Sequence, residues 1–124
     1  MNQRTTIITG GILAALAVAI GAFGAHGLKE ILTENQRTDT FELAVKYQFY
    51  HSFGILITGL LMNFYTDRKL KFAPVFFLAG IVLFSGSLFI LSLTGITKFG
   101  AVTPIGGVGF IAGWVMLVLG VAKK

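Results

Sequence analysis

No cysteine occurs in this 124-residue chain. Disulfides, thiolate nucleophiles and thiolate metal sites are thereby excluded, and the redox compartment is left unspecified. Acidic residues are scarce, with five Asp and Glu against ten Lys and Arg. None of the five lies within a long apolar run, which counts against a proton-coupled exporter driven by buried carboxylates. Low-complexity segments are absent. Charged residues make up only 12% of the chain and hydrophobic ones 55%, too little polar surface to cover a soluble domain of this size. What is present instead is four apolar runs, Ile7–Leu28, Tyr47–Phe64, Phe72–Thr94 and Pro104–Val121, separated by short charged segments. At ~1.5 Å rise per residue, each is about long enough to cross a ~30 Å hydrocarbon core. The pattern predicts one all-α domain over residues 1–124, a polytopic membrane protein with four transmembrane helices in a bundle.

The net charge of +5 resembles that of a nucleic-acid-binding protein, but its placement points to a lipid bilayer and not to nucleic acid. With alternating spans, Arg4, Arg68, Lys69, Lys71, Lys123 and Lys124 fall on one side. Lys29, Arg37, Lys46 and Lys98 fall on the other, diluted by Glu30, Glu34, Asp39 and Glu42. The positive-inside rule then puts both termini and the loop between spans two and three in the cytoplasm. The first run imitates a signal peptide, ending in the small-x-small triplet Ala22-Phe23-Gly24. A secretory core is usually ~7–15 residues, and this run is longer, so it is expected to remain as a span.

Small residues line one side of span one, at Gly10, Ala14, Ala17, Gly21 and Gly24, with Ile12, Leu16, Ile20 and Phe23 opposite. Span four carries a second such stripe at Gly106, Gly109, Gly113 and Gly120. Two close-packing stripes are more than one bundle interior requires, which makes a second copy of the chain a candidate partner. Gly27 is expected to cap span one, and Asp39 with Glu42 to cap helix two near Thr40. Glu42 and Lys46 stand at i,i+4 in the favourable order. Pro74 is expected in the first turn of span three, and Thr103-Pro104 opens span four. In helix two, Tyr47, His51, Gly54, Thr58, Leu61 and Tyr65 form a row that must face protein, because polar groups in hydrocarbon need partners.

Both histidines are expected in the outer leaflet, His26 at the end of span one and His51 in span two. Tyr47, Gln48, Tyr50, Ser92 and Thr103 are expected at the same level, giving one polar cluster drawn from all four helices. Three uses compete. Cross-helix hydrogen bonds would fix the packing, each contributing about 0.6–2 kcal/mol. A lipid, small ligand or haem held between two imidazoles is the second. The third is catalysis by His51 as general base beside Tyr47, for which no nucleophile with a placed partner is present. Two histidines also leave a zinc site short of ligands, so neither catalytic nor metal-ligating residues are assigned and any cofactor stays unknown.

Gly21-Ala-Phe-Gly-Ala-His-Gly-Leu-Lys29, Phe41-Glu-Leu-Ala-Val-Lys-Tyr-Gln-Phe-Tyr-His51, Leu83-Phe-Ser-Gly-Ser-Leu88 and Thr103-Pro-Ile-Gly-Gly107 with Ile111-Ala-Gly-Trp114 occur in order. Together they closely resemble the bacterial inner-membrane domain-of-unknown-function family 423, whose eukaryotic relatives are called transmembrane protein 256. The resemblance covers essentially the whole chain. It implies a small four-span protein of the bacterial plasma membrane and carries no reaction, substrate or cofactor. The family's motif residues that coincide with the cluster are His26, Lys46, Tyr47, Gln48, His51 and Thr103, so the resemblance adds Lys46 to the candidate ligand-binding residues. The expectation is therefore a non-enzymatic membrane component whose outer-leaflet cluster packs the bundle or binds a lipid or small ligand. An oligomeric transporter or channel and a haem- or quinone-linked redox protein are the alternatives.

Overall fold

The computed structural model describes residues 1–122, so the expected charges at Lys123 and Lys124 lie outside the described residues. The described chain is helical, with no strand. Helix α1 spans Gln3–His26, α2 Lys29–Glu34, α3 Thr38–Leu61 and α4 Lys69–Gly80. A π-helical turn, Ile81–Ser85, leads without a break into α5, Gly86–Thr94. A short 3₁₀ turn, Thr97–Ala101, precedes α6, Thr103–Ala122. Three stretches, Gln3–His26, Lys69–Thr94 and Thr97–Ala122, are long and apolar enough to cross a membrane. α3 matches α1 at 24 residues, but Lys46, Gln48, His51 and Ser52 interrupt its apolar run.

Composition explains the order of packing. α1 rests on α3, α6 rests on α4 and the π turn, and α3 packs against α4 and α5 between them. The interrupted helix is thus central, with Gln48, His51, Ser52 and Thr58 buried on it. The outer face of α1 is exposed at Ile12, Leu16 and Phe23, as is that of α6 at Ile105, Val108 and Ile111. Apolar side chains are therefore turned outward and polar ones inward, the arrangement suited to hydrocarbon surroundings.

Both glycine stripes are consumed within the molecule. A Cβ on Gly24 would meet the Phe41 ring, and one on Gly10 would lie 2.8 Å from Leu56 Cγ. On α6, Gly113 receives the Phe77 ring and Gly120 the Leu70 side chain. The stripes therefore serve the α1–α3 and α4–α6 contacts.

Several helix ends differ from expectation. Gly27 follows α1 at φ −71°, in the right-handed region. Its small size matters for another reason, since a Cβ there would sit 2.6 Å from Phe23 Cε2. α3 starts at Thr38, and no side chain caps it, so Asp39 lies in its first turn and contributes through the helix dipole. α4 starts at Lys69, which puts Pro74 in the second turn rather than the first. The loop before α3 closes as a Schellman motif, with Arg37 N–H donating to Leu32 O and Gln36 N–H to Thr33 O. Gln36 takes the left-handed position at φ 54°, where glycine is usual.

The π turn accommodates one extra residue in the i→i+5 pattern and re-aims the serines around it. Ser85 Oγ donates to Ala44 O at 2.7 Å, tying the turn to α3. Ser87 Oγ and Thr103 Oγ1 share a 2.7 Å hydrogen bond, tying α5 to α6. Ser85→Ala should lower stability by about 0.6–1.7 kcal/mol, the range for such interhelical bonds. Thermal unfolding in detergent with helicity as readout checks this, and an unchanged midpoint would show that the bond contributes nothing net.

Candidate functional site

Helical spacing places Tyr47, His51 and Gly54 on one side of α3, and that side faces α4 and α6. His51 is 5% exposed. Its Nδ1 lies 2.7 Å from Tyr47 O. A carbonyl only accepts, so Nδ1 carries the hydrogen and Nε2 is the remaining acceptor of the neutral ring. The imidazole stacks on Phe110, with centroids 3.5 Å apart and planes within 8°. Phe77 and Trp114 close around it at 5.7 and 5.8 Å. Tyr47, itself 4.7 Å from Phe84 in a stacked pair, completes the enclosure. The absent side chain at Gly54 makes this possible, because a Cβ there would sit 3.2–3.3 Å from Trp114 and Phe77. His51 is held as an aromatic among aromatics.

The remaining predicted site residues do not share one level. Gln48 Nε2 turns the other way and donates to Leu13 O of α1 at 3.0 Å. Ser92 Oγ donates to Leu88 O within its own helix, while Ser92 O accepts from Asn35 Nδ2 at 3.0 Å. Thr103 bonds Ser87 as described. His26 is exposed and borders a shallow surface hollow with Lys29, Glu30, Thr33 and Glu34. Gly24 faces Phe41 across the antiparallel α1–α3 contact, which sets His26 level with the first turn of α3. His51 stands about 18 Å further along at 1.5 Å per residue. The expected single-depth cluster therefore separates: Gln48, Ser92 and Thr103 each take part in a different link between elements, His51 bonds within α3, and the two histidines are too far apart to ligate one haem. Among the described residues, no three His, Asp or Glu side chains converge to hold a metal ion.

Lys46, like His26, borders open space, and the space beside it is enclosed by three helices. A groove of about 420 Å³ lies between α1, α2 and α3. Gly21, Gly24, Leu32, Phe41 and Val45 supply its apolar walls, and Lys29, Lys46 and Glu42 stand at its margin. Gly21, Val45 and Lys46 also line a second, almost wholly apolar furrow of about 320 Å³ that continues over Ala17, Val18 and Phe49. The expected Glu42–Lys46 pair is not formed, since the salt bridge among the described residues joins Lys69 to Asp67 at 3.5 Å. Sequence reasoning named Lys46 but missed the groove, and Asn35, Ser85 and Ser87 also escaped the site assignment. The Ser-Gly-Ser at 85–87 was the available signal; nothing local marked Asn35.

Apolar helices with their polar groups turned inward, and a groove open to the surroundings, define a small integral membrane protein. The chain belongs to the family described as Protein of unknown function (DUF423), whose model matches residues 20–107. That span includes the first three quoted motifs and Thr103–Gly107, and leaves out Ile111–Trp114. Among similar proteins are the UPF0382 membrane protein SSP2132 of Staphylococcus saprophyticus, 47% identical over 121 residues and covering 98% of this chain and 99% of its own. SH2409 of Staphylococcus haemolyticus is 44% identical over 121 residues, and YwdK of Bacillus subtilis 43% over 122, each covering 98% of both chains. Both are also named UPF0382 membrane proteins. No solved structure matches the chain.

Proposed function

We propose that this is a non-enzymatic, four-span membrane protein that holds an amphiphilic membrane molecule in the groove between α1, α2 and α3. In this reading α3 is the fourth span, residues 1–124 form one domain, and both termini face the cytoplasm across the bacterial plasma membrane. His51, Gln48, Ser92 and Thr103 serve as packing links, and Lys46 is the member of the predicted set that meets the ligand. The observation that carries the reading is the groove's continuity: Gly21, Val45 and Lys46 line both the part that holds Lys29 and Glu42 and the almost wholly apolar furrow beyond it. An amphiphile needs both environments in that order. The filled aromatic interior around His51 favours this over a passage for solutes.

Native mass spectrometry of protein released from membranes in mild detergent tests the proposal. A retained amphiphile of defined stoichiometry is expected, and a bare protein would refute it. The absence of native cysteine makes the topology directly testable. Thr33→Cys should react with a membrane-impermeant maleimide in cells with a permeable outer envelope but an intact plasma membrane. Arg68→Cys should react only after the bilayer is opened. The reverse pattern would invert the orientation, and labelling of both in unopened cells would remove α3 as a span.

A further inference from the structure

We infer that the groove is selective for an anionic phospholipid, whose phosphate sits between Lys29 and Lys46 with one acyl chain along the Ala17–Val45–Phe49 furrow. This rests on the amphiphile reading above and adds the ligand's charge and orientation. Three observations combine. The groove margin carries two ammonium groups and one carboxylate, Lys29, Lys46 and Glu42, so its net charge is positive. Among the described residues none of the three is engaged in a salt bridge, which leaves both lysines available to a phosphate. Lys46 lies at the junction where the charged groove passes into the furrow lined by Gly21 and Val45, the position of a lipid phosphate relative to its chain. Lys46 is the ninth residue of α3, about 12 Å from its start, and its flexible stem can carry the ammonium toward the interface. The neighbouring hollow holds His26, Glu30 and Glu34 as well as Lys29. Lys29 therefore also has these two carboxylates nearby, while Glu42 is the one acidic residue lining the groove with Lys46.

The test is native mass spectrometry from nanodiscs of equimolar phosphatidylglycerol and phosphatidylcholine, read as the ratio of the two lipids retained. Wild type should retain phosphatidylglycerol in preference. Lys29→Gln and Lys46→Gln should each lower that preference about fivefold, the contribution of one basic side chain near anionic lipid. Glu42→Gln should raise it by a similar factor. Ala22→Trp, an exposed position on the furrow, should abolish retention of both lipids while leaving helicity unchanged. Retention of both lipids in equal amounts would overturn the charge selectivity and leave an amphiphile bound. A preference that does not rise in Glu42→Gln would overturn the charge selectivity, because a carboxylate lining the groove must oppose a bound phosphate. Absence of any retained lipid would overturn this inference together with the reading beneath it.

Discussion

Gly106→Val is expected to lower stability by about 3 kcal/mol and the unfolding midpoint by about 10 °C. A Cβ at 106 would meet the backbone of Phe84, with Phe84 Cβ at 2.7 Å and Cα at 2.8 Å. Backbone cannot rotate away as a flexible side chain would, so α6 must lift off the π turn. That displacement would also break the Ser87–Thr103 hydrogen bond and loosen Phe110 from His51 one turn further along. Gly107 provides the control. Nothing lies within 4 Å of where its Cβ would be, so Gly107→Ala should be neutral or slightly stabilising through helix propensity. Thermal unfolding of both variants by circular dichroism separates the two cases. Equal midpoints would show that the α4–α6 contact is not held by this approach.

His51→Ala is the second large effect, an expected loss of about 3 kcal/mol from the cavity left beneath Phe110. His51→Phe keeps the stacked ring and gives up only the bond to Tyr47 O, so its cost should stay near 1 kcal/mol. Phe77 and Trp114 are in contact with each other, at 4.7 Å and 66°, and would retain a ring to pack against. The pair of variants separates packing from chemistry. If His51→Phe unfolds as readily as His51→Ala, the imidazole matters for more than its shape, and His51 returns as a functional residue. If the phenylalanine variant is stable and still retains lipid, the ring's role is structural and function lies at the groove.

Much of this was legible from residue type and spacing. Helical periodicity on α3 identified Tyr47, His51, Gly54 and Thr58 as an inward row because a 3.6-residue repeat leaves polar groups few other positions in an apolar helix. The stripe through Gly10, Ala17 and Gly24 likewise marked a close-packing face. The sequence pattern erred where the answer depended on register between helices. His26 and His51 looked like neighbours when both were counted from the same membrane surface. The Gly24–Phe41 contact slides α1 along α3 and separates them. The π turn was equally hidden, since Ile81–Ser85 reads as ordinary apolar helix, yet it determines which way Ser85 and Ser87 point.

Composition by itself settled that this chain is built of apolar helices. With 55% hydrophobic residues, 12% charged and no cysteine, the balance of burial and hydration leaves little else. The motifs Gly21–Lys29 and Phe41–His51 placed it in its family. Only the tertiary structure decided how the polar side chains are used. Hydrogen bonds reach about 3 Å, and a helix advances 1.5 Å per residue, so a shift of two residues between neighbours exchanges one partner for another. For the same reason the groove between α1, α2 and α3 is invisible in the linear chain. Its charged margin and apolar walls come from three helices, and only their packing brings Lys29 and Lys46 to one opening.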